Sequence, residues 1–278
     1  PRGRAGPGRG AGRGASAARG CAERGGDGSP SGMKVIALYS PKGGVGKTSA
    51  AVNLAHRAAL ERRRVLLWDL DPQAAASFYL KVTPRLGDGP RLLVRGGGAV
   101  TRHILGTDHE YLDVLPADVG LRTLDLALDR AKGSRRRLAR VADVLTGEYD
   151  LVVVDCAPSL GLVSENVFRA ADLLLVPVIP APLSVRTLDQ LDELLAGREL
   201  DVLTRCFFTL VDGRRRLHQE LMEQVLSERD DVLRTVIPED PQVELMGEER
   251  APVADFAPGS PAAAAYAELW VELQASLR

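Results

Sequence analysis

The apolar run at residues 34–39 (KVIALY) leads directly into residues 40–49, SPKGGVGKTS, and then into an amphipathic stretch over 47–62. Few folds accommodate that order. Gly43, Gly44 and Gly46 let the backbone turn so that successive N–H groups point inward, and a helix starting near Lys47 adds the positive end of its dipole. A turn of this kind is a phosphate cradle when it leaves the carboxyl end of a strand and enters a helix, which requires a sheet whose strand ends open into a crevice. The P-loop pattern G-x-x-x-x-G-K-[ST] places glycine where this chain has Pro41, and a second lysine, Lys42, follows it.

The rest of the chain repeats strand and helix. Residues 64–70, 111–117, 150–156, 172–178, 206–211 and 232–237 are short apolar runs, most without alternation, as parallel strands covered on both faces should be. Helical periodicity occupies 47–62, 119–131, 134–146, 183–196, 215–227 and 261–277. This alternation predicts a three-layer α/β fold, a doubly wound and mostly parallel sheet with right-handed crossovers. A chain of 278 residues, 45% of them apolar, can bury one full core, and a single domain is expected over 33–278. The connector 84–100, with Gly87, Gly89, Gly96, Gly97 and Gly98, has no clear period and reads as a mobile loop.

Residues 1–32 differ in kind. The formal charge of −1 conceals +4 in this Gly/Arg/Ala-rich segment and −5 over residues 33–278. With little apolar surface to bury, the segment is expected to be disordered, and Met33, just before the first strand, reads as the natural start. It contains no aromatic residue for stacking on bases and no apolar stretch of the secretory kind. The mildly acidic remainder does not favour nucleic-acid binding through bulk charge. Cys21, Cys156 and Cys206 are scattered without a C-x-x-C, which gives no zinc or disulfide framework and fits a reducing, cytoplasmic setting. His56, His103, His109 and His218 are too dispersed along the chain to suggest a metal cluster. The most apolar stretch, 173–183, is short and contains Pro177, Pro180 and Pro182, so no membrane insertion is expected.

The candidate nucleotide-binding residues are Gly43, Gly44, Val45, Gly46, Lys47, Thr48 and Ser49. Lys47 suits a bridge between β- and γ-phosphates, and the Thr48 hydroxyl suits Mg²⁺. The form K-G-G-V-G-K-T resembles the deviant Walker A motif of the ParA/MinD family of P-loop ATPases. Three more segments resemble that family: D-x-D-P-Q at 69–73, the run YDLVVVDCAPSL as Walker B strand and switch, and RTVIP with the later ERAPVADFAPGSPAAAAYAELW. The similarity spans 33–278, with Trp68 in place of a small aliphatic residue, and is nearest to short ParA-like partition ATPases.

That resemblance implies an ATP- and Mg²⁺-dependent switch. ATP holds a homodimer, an activating partner protein stimulates hydrolysis to ADP and phosphate, and the cycle partitions or positions DNA or a protein cargo. It also implies that Lys42 reaches across the dimer to the other protomer's phosphates, as an arginine finger does. Asp71 would orient the attacking water and Asp155 would hold Mg²⁺ through water; the plain alternative for Asp71 is a helix N-cap before 74–80. Adenine falls beside Pro238, whose ordinary role is to end a strand, and the absence of N-K-x-D disfavours a guanine site.

The chain also departs from its relatives. Ala157 replaces the first proline of the D-x-P-P switch. Of two basic places on DNA-binding relatives, Arg214, Arg215 and Arg216 match one as candidates for nonspecific phosphate contact, whereas 239–242 (EDPQ) carries no cation. MinD-like membrane attachment needs a basic amphipathic C-terminal helix; here Tyr266, Leu269, Trp270, Leu273 and Leu277 form a stripe opposite Glu268 and Glu272, so core packing is expected. An iron–sulfur relative would need a second ligand near Cys156, which instead reads as a buried small hydrophobe. A metabolic ligase of the dethiobiotin synthetase type would need carboxylate-binding cations around a substrate pocket, and no such constellation is visible in the sequence.

Overall fold

Alternate residues of each apolar run point to opposite faces, and both faces are covered. The computed structural model describes residues 32–83, 89–96 and 98–277, in which Val35, Ala37 and Tyr39 enter one core while Ile36 and Leu38 enter another. The strands are β1 (Lys34–Leu38), β2 (Val65–Asp69), β3 (Leu105–Gly106), β4 (Leu112–Leu115), β5 (Leu151–Asp155), β6 (Leu173–Val178), β7 (Leu203–Val211) and β8 (Val232–Pro238). They form one sheet in the order β3-β4-β2-β5-β1-β6-β7-β8, parallel throughout except for the β3–β4 pair. The expected doubly wound α/β architecture is present. β1 sits between β5 and β6, so the chain builds outward to both sides of it, and the loop leaving its carboxyl end opens at the crevice such sheets use for ligands.

Helix α1 (Lys47–Leu60) follows β1, and α2 (Ala75–Tyr79), α3 (Gly89–Arg95) and α4 (Gly98–Thr101) lie between β2 and β3. α5 (Leu124–Asp129) and α6 (Arg137–Leu145) precede β5, α7 (Leu162–Ala170) follows it, and α8 (Pro182–Gly197) and α9 (Arg216–Glu228) follow β6 and β7. α10 (Pro241–Glu249), α11 (Val253–Phe256) and α12 (Pro261–Ser276) come last. α1 and α12 pack on the face that receives Ile36, Leu38, Leu67 and Val153, whereas α3 and α5 to α8 cover the other.

The segment 84–100 is not one loop. Leu92 and Leu93 of α3 are buried in the core that also encloses Trp68, so the bulky residue in β2 has a helix over it. Seven residues flanked by glycines are too few to display a period, which is why the helix escapes a pattern search. Residues 84–88 and 97, and the expected disorder of residues 1–31, lie outside the described residues. The single helix expected over 119–131 is also divided. Asp118 Oδ1 accepts the Gly120 N–H at 2.7 Å and tightens Val119–Thr123 into a 3₁₀ turn before α5 begins.

α12 is a core helix, as its stripe predicts. Ser260 caps it by accepting the Ala263 N–H, Pro261 occupies its first turn, and Tyr266, Leu269, Trp270 and Leu273 are buried. Its polar side is engaged as well. The Glu272 carboxylate accepts the Arg234 N–H at 2.7 Å, the Thr235 N–H at 2.9 Å and the Thr235 hydroxyl at 2.7 Å, tying the helix to β8 at the sheet edge. Among the described residues no helix is long and apolar enough to cross a membrane.

Candidate functional site

The glycine-rich loop leaves β1 with Gly44 and Gly46 in the left-handed region, at φ 72° and 80°. The φ of Gly46 strains any side chain there, and a Cβ would stand 3.3 Å from Thr209 Oγ1, which would have to shift by a few tenths of an ångström. Nothing lies within 4 Å of where a Cβ on Gly43 or Gly44 would be, so the backbone is open to an approaching group at those positions. Val45 is buried, Thr48 and Ser49 are half-buried, and the Ser49 carbonyl accepts the Asn53 side-chain amide at 2.8 Å.

The two lysines face different ways. Lys47 is buried, and its Nζ donates to the Lys42 carbonyl at 3.1 Å. Burial pulls its pKa down, against the attraction of Asp155 and Asp71. Lys42 directs its own Nζ to Ser184 Oγ, 3.2 Å away in the first turn of α8, and among the described residues no carboxylate pairs with it.

Three aspartates gather opposite Lys47. Register sets Asp69 and Asp155 level at the carboxyl ends of adjacent strands β2 and β5. Asp69 is spent on structure: Oδ2 accepts the Ser77 N–H at 2.9 Å and its hydroxyl at 2.7 Å, and Oδ1 accepts the Asp71 N–H at 3.1 Å. Asp71 is thereby fixed, and its Oδ1 accepts the Gln73 N–H at 2.9 Å. It does not cap α2, whose N-cap is Ala74 in the left-handed region. Asp155 is fully buried, and neither carboxylate oxygen has a hydrogen-bond partner; the Thr48 hydroxyl acts on it without reaching bonding geometry. Burial, then repulsion from Asp69, pushes the Asp155 carboxyl well above the usual range, and burial raises Asp69 to about 6. Cys156 is a buried thiol, as expected.

The unpartnered carboxylate has a measurable consequence. Asp155→Asn is expected to stabilise the nucleotide-free protein at pH 7, because the amide carries no charge for burial and Asp69 to oppose. A carboxyl raised in the folded state lowers stability as pH rises through the interval between its unfolded and folded pKa values. The advantage of the variant should therefore grow from pH 4 to pH 7 and vanish below pH 4, as urea midpoints at constant m would reveal. His56, held down to about 4 by burial, contributes the opposite slope in both.

Pro238 ends β8 beside Val211, and the Glu239 N–H that follows donates to the Val211 carbonyl at 3.0 Å. Arg214, Arg215 and Arg216 are exposed, but Arg214 pairs with Asp212 at 2.9 Å and Arg216 with Glu220 at 2.6 Å, so two of the three carry a local counter-charge. Elsewhere, Arg135, Arg169 and Arg198 converge on the buried Glu165 beside a cavity of about 470 Å³. Sequence reading missed that cluster, whose members are far apart along the chain. It also judged the histidines too dispersed. The fold brings His56 and His109 together at Asp255, because α1, the turn before β4 and α11 meet there.

A phosphate-cradling loop at the central strand of a doubly wound sheet, with an acidic cluster at the neighbouring strand ends, defines a P-loop nucleotide-binding protein. The AAA domain family matches residues 33–198. Sporulation initiation inhibitor protein Soj of Bacillus subtilis is 31% identical over 252 residues, covering 87% of this chain and 99% of that protein. The chain belongs to the ParA/MinD family of P-loop ATPases and lies close to the partition ATPases. Chromosome partitioning protein ParA of Myxococcus xanthus is 32% identical over 198 residues, 69% of this chain and 70% of that one. Among solved structures, cobyrinic acid a,c-diamide synthase from Mycobacterium smegmatis with bound ADP and magnesium has a TM-score of 0.72 and 27% identity, covering 87% of this chain and 94% of that chain.

Proposed function

We propose that this protein is a Mg²⁺-dependent ATPase switch, held as a homodimer by ATP and reset by hydrolysis, that partitions or positions DNA or a protein cargo. The observation that carries this reading is the divergence of two lysines from one loop. Lys47 faces the acidic cluster of its own chain, whereas Lys42 rests on a serine at the outer side and has no carboxylate partner among the described residues. An ammonium held only by a hydroxyl is free to serve a neighbouring phosphate, and in a two-fold dimer it would serve the other protomer's.

Asp155 supports the metal assignment. A buried carboxylate with both oxygens unmet suits a hydrated cation, with the Thr48 hydroxyl as direct ligand and Asp155 holding the ion through water. Mg²⁺ there would neutralise charge building on the phosphoryl oxygens. In this reading the backbone N–H groups from Gly43 to Thr48 and Ser49 would hold the phosphates of ATP, Lys47 would supply positive charge to them, and Pro238 would flank the adenine. Asp71 orients the attacking water, and Asp69 acts as a positioning residue by gripping the Asp71 N–H.

DNA binding through Arg214, Arg215 and Arg216 must overcome the pairing of two of them to Asp212 and Glu220, so the DNA arm is weaker than three free arginines would make it. Membrane attachment through α12 is disfavoured because its apolar stripe lies in the core. A small-acid ligase is disfavoured because Glu165 already occupies the arginine cluster and no P-loop residue lines that cavity.

Size-exclusion chromatography with ATP tests the switch. Asp71→Ala is expected to slow hydrolysis by about 10²-fold while the ATP-held dimer persists. A monomer under every nucleotide condition, in wild type and variant, would overturn the reading. Binding to nonspecific DNA at two salt concentrations then separates the cargo classes: affinity that falls with salt supports DNA, and absent or salt-insensitive binding favours a protein cargo.

A further inference from the structure

His56, His109 and Asp255 take no part in the cycle above. His109 lies just before β4, at the amino-terminal edge of the sheet, whereas the glycine-rich loop opens at the carboxyl-terminal edge. His56 is near the end of α1, and Asp255 belongs to α11, which is fastened to α1 by the Val253 N–H donating to Asn53 Oδ1 at 2.9 Å. His56 Nε2 is 3.2 Å from Asp255 Oδ1, and His109 Nε2 is 3.6 Å from Asp255 Oδ2. The rings meet edge to face with centroids 4.8 Å apart, and one ligand atom from each residue lies within 4.8 Å of the other two.

We infer that His56, His109 and Asp255 form a binding site for a divalent transition metal of the Zn²⁺ type, separate from the nucleotide site and joining α1, α11 and the turn before β4. A tetrahedral ion with bonds of about 2.0–2.1 Å to nitrogen and oxygen holds its ligand atoms about 3.3 Å apart; the imidazoles stand 3.2 and 3.6 Å from opposite oxygens of one carboxylate, and the set with one atom from each residue, within 4.8 Å, closes onto an ion by side-chain rotation. Two imidazoles and one carboxylate suit Zn²⁺ and its transition-metal neighbours, whereas Mg²⁺ prefers oxygen ligands and retained waters.

Accessibility is graded in the way a bound ion requires. The His56 side chain is 4% exposed, His109 19% and Asp255 34%, so a rigid buried ligand stands behind two that admit an ion and a fourth, water ligand. His56 Nδ1 is buried without a partner, whereas its Nε2 already faces Asp255, so an ion would enter between two groups that are held against each other.

The test uses the full chain, stripped with chelator and free of nucleotide, at pH 7.5. Titration with Zn²⁺ alone in a calorimeter should show one equivalent bound, and Co²⁺ should give the intense visible bands of a tetrahedral site. At a hundredfold excess over Kd, Zn²⁺ should raise Tm by roughly 5–10 °C. His109→Asn and Asp255→Asn, both at accessible positions that leave the core intact, should each weaken Zn²⁺ binding on the order of 100-fold and abolish the Co²⁺ bands. His103→Asn should change neither. Their urea midpoints without metal, compared with wild type, establish that the variants are folded. Zn²⁺ binding of equal strength in His109→Asn and Asp255→Asn would locate the ion elsewhere, such as at Asp155, and overturn the proposal. So would the absence of binding to the wild type, which would leave the three residues as an ion-paired clip.

Discussion

Lys42→Ala is expected to reduce ATP hydrolysis by roughly 10³-fold, the lower end of what a charge delivered to a phosphoryl transition state from outside its own site is worth. ADP affinity should remain nearly unchanged. Within its own chain Lys42 offers the cradle only a backbone carbonyl, which accepts from Lys47, and alanine keeps that carbonyl. What disappears is the ammonium on the far side of the loop, beside Ser184. A mixing experiment makes the assignment specific. Lys42→Ala and Asp71→Ala protomers should each be nearly inactive alone, but a mixed dimer contains one site with an intact Asp71 on one chain and an intact Lys42 on the other. Random pairing makes half the dimers mixed, each with one working site of two, so an equimolar mixture should recover roughly a quarter of the wild-type rate. If Lys42 serves its own nucleotide, mixing restores nothing.

Lys47→Ala is expected to remove the response to nucleotide altogether: hydrolysis down by at least about 10³-fold, and no shift to dimer with ATP. The reason is visible without nucleotide. Lys47 is an ammonium buried within reach of Asp155 and Asp71, with a single carbonyl as hydrogen-bond partner among the described residues and a pKa pulled down by the loss of water. A folded chain tolerates such a group at a cost, and a triphosphate repays it by supplying the missing negative charge. Lys47→Arg should fail nearly as badly, because a planar guanidinium cannot occupy the place of a compact ammonium. Since burying Lys47 stabilises nothing in the empty protein, the alanine variant should unfold at the wild-type urea concentration or slightly above it. Loss of activity with an unchanged midpoint separates this outcome from simple misfolding.

The parts of the fold legible in the sequence are those set by local pattern. β1, β2, β5 and β6 are continuous apolar runs because helices cover both their faces, and the loop after β1 has a spelling tied to its backbone geometry. Features that depend on distant partners were not legible. α3 exists because Leu92 and Leu93 find Trp68, and seven residues between glycines carry no helical signal of their own. α10 and α11 are similarly short. β7 starts at Leu203, earlier than its apolar run suggests, because exposed Leu203 and half-buried Thr204 and Arg205 are ordered by pairing with β6. In the candidate site, Lys47 and Asp155 could be read from motif and strand end, but the service Asp69 performs for Asp71 requires Ser77, eight residues away, to be seen. The meeting of His56, His109 and Asp255 joins three elements spread over about 200 residues, and nothing local announces it.

Glu272 has a bearing on assembly. A terminal strand in a sheet normally offers a row of unclaimed amides, the usual route by which one copy zips onto another. Here one glutamate occupies two successive amides and a hydroxyl in the middle of β8, and the strand cannot be extended there without evicting it. Two copies of this chain are steered away from ribbon-like growth at that border, so they must join through a different surface if they are to separate again after each round of hydrolysis.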